Sequence, residues 1–483
     1  MEGREGGNKI NEDQELGYRH SVLLSHIREN ILEMKETVIA IYDIGKTNKK
    51  IVLFNEEFKI VSEIEEKFIE IQDDDGFECD DIEHIEAWIK ESLSTLIHSD
   101  KYELKAVNFT TYGATLVYLD ENGKRLTPVY NYLKPLDDKI AESLYKRYGG
   151  RDEFCRRTAS PALGMLNSGL QPLWLKTAKP EVFAKIRHIL HFPQYLSYLI
   201  TGKIYSEHTS IGCHTALWDF DNMSYHPWIK AHRLSLPEPV PVETLVEATV
   251  DGKSVQIGIG IHDSSSSLAP YFSGREGKFL LISTGTWCIN MNPFNTEKLS
   301  AYQLDKDCLC YMSITRQPVK SSRLFLGHLH EMILKQICDH FRKPPEYYRK
   351  VKADNKLSDI LKSKFIGNKA FFQTGPYSRD LKEYIDMYEF NSFEEAYHQL
   401  MNELGDLTIE AVNLVIPETD ETEKIYITGG FSKNKLFQNI ISQAFPSKSV
   451  YTSEIANGSA LGAALVVSGS KSALNLGLTR CGI

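Results

Sequence analysis

The sequence predicts an α/β fold built as two duplicated domains flanking a cleft. Three observations carry this. Short β-branched runs alternate with segments of helical spacing along most of the chain, as expected of sheets layered with helices. A hairpin pattern near the start recurs about half a chain later. Between the two copies, the Pro-rich stretch at 234–242 reads as a linker or surface crossover. A chain of 483 residues has room for two to four domains at roughly 100–200 residues each.

The first strong element is residues 38–42, β-branched, short and bounded by charges, which reads as a buried strand. Residues 43–50 form a tight polar turn around Gly45, and 51–54 return as a second strand, completing a hairpin. Residues 58–62 alternate as a third strand. Ile82, Ile85, Trp88, Ile89, Leu93, Leu96 and Ile97 fall at helical spacing. The strand at 106–109 runs into Thr110, Thr111, Tyr112 and Gly113, then a hairpin-like segment to Leu119 and a turn at 120–123. Residues 137–235 are mostly helical in pattern, with breaks at Pro161, Pro172, Pro180 and Pro193. A second α/β region follows. Its strands are 255–261, which ends in His262 and Asp263, 279–282, which precedes Ser283 and Thr284, and 424–428, which ends in Gly429 and Gly430. Helices are expected at 394–415 and 434–444. Residues 456–467 are rich in small side chains, so a helix there can pack close to a neighbouring backbone.

Composition narrows the function. The chain is 42% hydrophobic and 25% charged, ordinary for a soluble globular protein, which excludes a mainly disordered chain, a collagen-like rod or a disulfide scaffold. Its net charge of −10 argues against nucleic acid as a partner, because a polyanion wants a basic surface. A nucleotide is a different matter, since a phosphate site needs only a few backbone N–H groups and one metal ion. The 8 cysteines are scattered without a CxxC pair, and Cys308 and Cys310 lack zinc-knuckle spacing, so they read as reduced structural thiols. No apolar run reaches the ~18 residues a bilayer requires. The polar N-terminus has no signal-peptide core. A cytoplasmic protein without a membrane partner is therefore expected. Residues 1–36 read as an extension: a flexible tail, a short helix, or a start site placed too early. Nothing in the sequence speaks to oligomeric state, and a homodimer stays open.

Set side by side, the segments starting at Val38 and Lys278 share a buried strand, a glycine turn followed by threonine, and a return strand; Gly45 aligned on Gly285 sets an offset of 240 residues. The offset alone does not separate duplication from two chance hairpins. The residues of the first turn go further. Asp43, Gly45, Thr47 and Lys50 resemble the opening phosphate hairpin of the FGGY carbohydrate kinases, relatives of actin and the heat-shock ATPases, with departures at Lys46 and Asn48. The segments 110–123, 167–176, 193–202 and 207–210 resemble the family's sugar side; 260–263 resembles its catalytic strand end, 283–286 its second phosphate loop, and 428–434 with 458–462 its adenosine region. The likeness covers about residues 37–468.

That resemblance implies two duplicated actin-like (ribonuclease H-like) ATPase domains, a sugar-binding one over 37–250 and an ATP-binding one over 251–475. It implies transfer of the γ-phosphoryl group of ATP, with Mg²⁺, to a primary hydroxyl of a ketose. Such a transfer needs the phosphate cradled, the hydroxyl placed in line and its proton accepted. Backbone N–H groups of Thr284, Gly285 and Thr286 would form the cradle, faced by Gly45, Thr47 and Lys50. Asp263 would take the proton; alternatively it caps the Ser-rich helix that follows. Asp43 would orient the metal, or only start the turn. Gly429 and Gly430 would let adenosine approach, or form a plain strand-to-helix turn; Asn434 would touch the base, or cap the next helix. Thr111, Tyr112, Gly113, Asn131, Tyr132 and His262 join Asp263 on the sugar side, His262 as a packed residue rather than a second base.

Tyr112 stands where family members place an aromatic or His against the sugar, and residues 129–132 lack an Asp usual there, as in members similar to L-fuculokinases. This implies a 6-deoxyketohexose such as L-fuculose or L-rhamnulose, with a ketopentose (xylulose or ribulose) as the alternative. An actin-like ATPase acting as a binding module is the competing class; it would need no sugar side. A dinucleotide oxidoreductase would require GxGxxG after the first strand, which is absent.

Overall fold

The computed structural model describes residues 35–273, 277–373, 381–382, 384–455, 457–470 and 474–482. The proposed extension falls almost wholly outside them: Glu36 already opens the first strand.

The first sheet is organised by a hairpin. Strand β1 (Glu36–Ile44) turns at Gly45 into β2 (Lys49–Phe54), and β3 (Ile60–Glu66) continues the meander. Helix α1 (Ile82–Ile97) begins where the Asp81 side chain accepts the N–H of His84, and it turns Ile82, Ile85, Ile89 and Leu93 inward. Strand β4 (Tyr102–Thr111) then runs parallel to β1, paired from Glu36–Tyr102 to Ile44–Thr111 with a one-residue register shift between Val38 and Ile39. Parallel pairing makes both strands end on one edge of the sheet. That edge presents Asp43, Thr110 and Thr111 together. Strands β5 (Leu116–Leu119) and β6 (His188–His191) form a small antiparallel pair. Residues 188–191 were expected to be helical; so short an apolar run shows no period of its own, and its partner β5 makes it a strand. Helix α2 (Phe192–Thr201) follows and stops at Gly202, in the left-handed region.

Strands β7 (Leu245–Val250) and β8 (Lys253–Gly258) extend this sheet, giving the order β7-β8-β4-β1-β2-β3. Strand β9 (Ile261–His262) pairs with Thr110 and Thr111 at the end of β4, and helix α3 (Asp263–Phe272) starts at the next residue. Asp263 is thereby delivered to the same edge as Asp43.

The second sheet repeats the plan. Strand β10 (Lys278–Thr284) turns at Gly285 into β11 (Cys288–Asn292); β12 (Cys308–Met312) and β13 (Pro318–Leu324) lie beyond. Helices α4 (Leu326–Phe341) and α5 (Phe393–Asn413) cover one face. Strand β14 (Thr422–Gly429) is parallel to β10, helix α6 (Lys435–Ala444) follows, and β15 (Ser449–Thr452) and β16 (Thr479–Arg480) complete the order β12-β13-β11-β10-β14-β15-β16. Strand β10 is flanked by an antiparallel β11 and a parallel β14, as β1 is flanked by β2 and β4.

Helix α7 (Gly458–Ser468) joins the two halves. It comes from the second half of the chain, yet Ala460, Ala463, Ala464 and Leu465 pack on Ile39, Ile41 and Ala106 of the first sheet. Its other contact is α3: a Cβ on Gly462 would lie 1.8 Å from the carbonyl oxygen of Ser266. Only a helix of small residues can sit between a sheet and a second helix at that distance. Among the described residues no helix is long and apolar enough to cross a membrane.

Candidate active site

Asp43 occupies the last turn-facing position of β1 and is 8% exposed. Its Oδ2 accepts a 2.8 Å hydrogen bond from Ser459 Oγ at the start of α7. Burial pushes its carboxyl up to about 6; the Ser459 hydrogen bond opposes the shift, and the nearby charge of Asp263 reinforces it. Asp263 stands at the first position of α3. Its Oδ1 accepts the backbone N–H of Ser264 at 2.5 Å and the Ser264 hydroxyl at 3.2 Å. Burial raises its carboxyl to about 6 as well. The side chain is 32% exposed, into a cavity of about 280 Å³ that it lines with Ser264, Ser283, Thr428, Gly429 and Ser459. Asp263 thus bonds Ser264 at its own helix start and still faces the cavity.

Ser283, Thr428 and Gly429, at the strand ends beside the second glycine turn, line the other side of the cavity; Gly285 and Thr286 of that turn, and Gly45, Thr47 and Lys50 of the first hairpin, are not among its lining residues. Thr284 Oγ1 donates to the Thr428 carbonyl at 2.5 Å and accepts the Phe431 N–H at 3.1 Å. Gly429 has φ +84°, and a Cβ there would fall 1.7 Å from the Thr284 carbonyl oxygen, so only glycine fits. The Gly285 N–H donates to the Trp287 carbonyl at 2.9 Å, leaving Gly285 and Thr286 exposed at the tip. In the first hairpin the Gly45 N–H donates to Asn48 O, also at 2.9 Å, and Thr47 is exposed. Lys50 bonds the Asn457 side chain and reaches Glu63 at 3.4 Å. Gly430 opens on free space. Asn434 is committed to structure: Oδ1 accepts the N–H groups of Leu436 and Phe437, capping α6, and Nδ2 donates to the Tyr397 hydroxyl at 2.8 Å.

Among the residues expected on the sugar side, Tyr112 is buried, its ring 6.0 Å from Tyr132 and 5.5 Å from Phe192, and its hydroxyl donates to Asp80 at 2.6 Å. Thr111 Oγ1 donates to the Tyr112 carbonyl at 2.9 Å. A Cβ on Gly113 would lie 2.5 Å from Cys213 Sγ and 3.1 Å from His262 Nε2, so the absence of a side chain there makes room for the His262 ring. His262 Nε2 lies 3.0 Å from Cys213 Sγ and 3.2 Å from Asp263 Oδ1. Burial pushes its pKa down to about 3, which keeps the ring neutral. Asn131 is turned to the backbone: Nδ2 donates to Glu78 O and Oδ1 accepts the Leu133 N–H, both at 3.0 Å.

Sequence reasoning missed four residues. Ser459 was seen only as part of a small-residue helix, and it holds Asp43. Asp80 and Lys49 form a buried ion pair of 2.8 Å beneath the first turn. Arg323, on β13, bonds Asp307 at 2.8 Å, lies 5.7 Å from the Trp287 ring, and buries an Nε without a partner among the described residues. These partners lie far apart in the chain, so no local pattern announces them.

Two carboxylates with raised pKa values and a serine hydroxyl beside two glycine turns form a hard-oxygen donor set that suits a small divalent cation and a polyphosphate. Another acidic group, Asp73, Asp74 and Asp75, has its carboxylates within 4.8 Å, but Lys134 and Lys179 already neutralise it at 2.5–2.9 Å.

Two sheets that share a central plan, a strand–glycine turn–strand hairpin with a parallel strand on its other side, define the duplicated actin-like ATPase class. Comparison with known proteins agrees. The model for the N-terminal domain of the FGGY family of carbohydrate kinases matches residues 38–258, and the model for the FGGY C-terminal domain matches residues 276–475. The chain belongs to the FGGY family of carbohydrate kinases. It is 29% identical over 230 residues to a rhamnulokinase of Yersinia pestis bv. Antiqua (strain Angola), a match spanning 46% of each chain. The chain thus spans about half the length of that relative. With a rhamnulokinase of Oceanobacillus iheyensis it shares 22% identity over 444 residues, 83% of this chain and 86% of the relative. Among solved structures, a carbohydrate kinase from Novosphingobium aromaticivorans superposes with a TM-score of 0.77 at 22% identity, covering 92% of this chain and 94% of that one. A ligand-bound xylulose kinase from Lactobacillus acidophilus superposes with a TM-score of 0.70 at 15% identity, covering 92% and 93%. These superpositions establish the fold.

Proposed function

We propose that the chain is an ATP-dependent sugar kinase that transfers a γ-phosphoryl group to the primary hydroxyl of a ketose, with Asp263 as the base. The observation that carries this is the placement of Asp263 in one cavity with Gly429 and with Ser459, the residue that holds Asp43. The backbone at Gly45 and Thr47 and at Thr284, Gly285 and Thr286 grips the triphosphate from its two sides. Asp43, steadied by Ser459, would hold a divalent ion such as Mg²⁺. When bound, the ion neutralises charge on the phosphate oxygens. Asp263 accepts the hydroxyl proton at its carboxylate. A pKa of about 6 leaves it ionised at neutral pH while keeping it more basic than an exposed aspartate, which suits a general base. Neutral His262 packs behind it and fixes its position.

For the acceptor, a 6-deoxyketohexose such as L-rhamnulose or L-fuculose is proposed, and the rhamnulokinase relatives support the first of these. Tyr112 supports it independently, because its hydroxyl is spent on Asp80 and its ring is left as an apolar wall. Such a wall discriminates by about 1–3 kcal/mol per methyl-sized difference. The experiment is a panel of purified ketoses assayed for ATP-dependent phosphorylation. Turnover on L-rhamnulose or L-fuculose well above that on xylulose and ribulose is expected. Fast turnover on a pentulose with none on deoxyhexuloses would move the assignment to a ketopentose. ATP consumption independent of any ketose would leave an actin-like ATPase module instead.

A further inference from the structure

Beneath the first glycine turn, Asp80 is 4% exposed and holds three groups at once: the Lys49 ammonium at 2.8 Å, the Lys46 ammonium at 3.1 Å and the Tyr112 hydroxyl at 2.6 Å. Lys46 and Lys49 belong to the turn that follows Asp43, and Tyr112 belongs to the sugar side. One carboxylate therefore ties the two substrate sites together. The two lysines differ. Lys49 is 2% exposed. Lys46 is 22% exposed, is shared with Glu70 at 2.6 Å, and stands 5.9 Å from the Tyr112 ring centre. It occupies the position next to Gly45 where a small hydroxyl residue resembling the family pattern is absent.

We propose that Asp80 is a positioning residue that couples nucleotide binding to sugar binding, with Lys46 as the mobile contact. This rests on the functional reading above. A triphosphate arriving at the turn is an anion beside a half-solvated ammonium that two carboxylates already share. It draws Lys46 off Asp80. Asp80 then keeps only the buried Lys49 and the Tyr112 hydroxyl, and its hydrogen bond to Tyr112 strengthens as the competing donor leaves. The Tyr112 ring is fixed against Tyr132 and Phe192, and the sugar meets a preformed wall. Nucleotide therefore raises sugar affinity, and by reciprocity sugar raises nucleotide affinity by the same factor.

The test measures ketose affinity by calorimetry with and without a non-hydrolysable ATP analogue and Mg²⁺, in the full chain and in Lys46→Met and Tyr112→Phe, singly and together. Asp80→Asn is a poor first variant, because it strands the buried Lys49 ammonium. In the wild type the analogue is expected to tighten ketose binding about tenfold. Either single substitution brings that factor close to one, the double variant does no more than either single one, and the melting temperatures stay near that of the wild type. A merely structural role would instead weaken both ligands and leave the factor unchanged; that result overturns the coupling while the kinase reading stands. A wild-type chain that phosphorylates no ketose overturns both.

Discussion

Asp43 and Asp263 are two carboxyls whose pKa values burial raises from 3.8 to about 6. The consequences for catalysis and for stability have opposite signs. As a base, Asp263 works only when ionised, so kcat/KM should rise with pH up to about 6 and level off above it. Both carboxyls bind protons more tightly folded than unfolded. The stability this contributes is fully present below pH 3.8 and is lost as pH rises through about 6. In chelator, Asp43→Asn should therefore melt higher than wild type at neutral pH, and the gain should vanish in acid; calorimetric melting temperatures across pH check this. A wild-type-like profile would mean that Asp43 is not under electrostatic strain. Both acids were legible in the sequence as strand-end residues beside glycine turns. Ser459 was not, since it reaches Asp43 across 416 residues, and neither was Asp80, 32 residues before the Tyr112 it holds. Asn131 and Asn434 had the right residue type for ligands, but turn and cap chemistry, a local signal, claims their polar atoms.

At the scale of elements, α7 packs closely on α3, the helix that Asp263 opens, and this contact is expected to hold Asp263 in place. Gly462→Ala places a methyl against the Ser266 carbonyl, and the two helices must part. A loss of about 1–3 kcal/mol is expected by denaturant titration, with kcat falling more than affinity for nucleotide. Gly469→Ala serves as the comparison. It has φ +67° with nothing within 4 Å, so it should cost only backbone strain, about 1 kcal/mol, and leave kcat unchanged. Equal effects from the two substitutions would remove α7 from the positioning of the base. The small-residue run was readable as a close-packing helix because Gly and Ala have little else to offer. Its partner was not readable, since α7 follows the second sheet in sequence and packs on the first. Hairpins β1–β2 and β10–β11 and helix α1 were plain from period and turn chemistry. The strand at 188–191 was hidden, because two apolar residues between histidines do not distinguish helix from strand until β5 is beside them.

The whole molecule is one plan used twice, with the acids supplied by the first sheet and its following helix and the second glycine turn supplied by the other sheet. The repeat was visible as an offset of 240 residues, but neither the packing of α7 on the first sheet nor the cavity beside Asp263 follows from spacing alone. On the proposed reading the first half would present the base and the second half part of the phosphate grip, and this division makes phosphoryl transfer to a sugar, rather than ATP hydrolysis, the expected chemistry. The direct measurement incubates wild type and Asp263→Asn with ATP, Mg²⁺ and L-rhamnulose or L-fuculose, and follows the phosphate ester by phosphorus NMR. Wild type should form the ester at the primary hydroxyl, and Asp263→Asn should be slower by about 10²–10⁴-fold while still binding both substrates. Ester formation at the wild-type rate by Asp263→Asn would contradict the account at its centre.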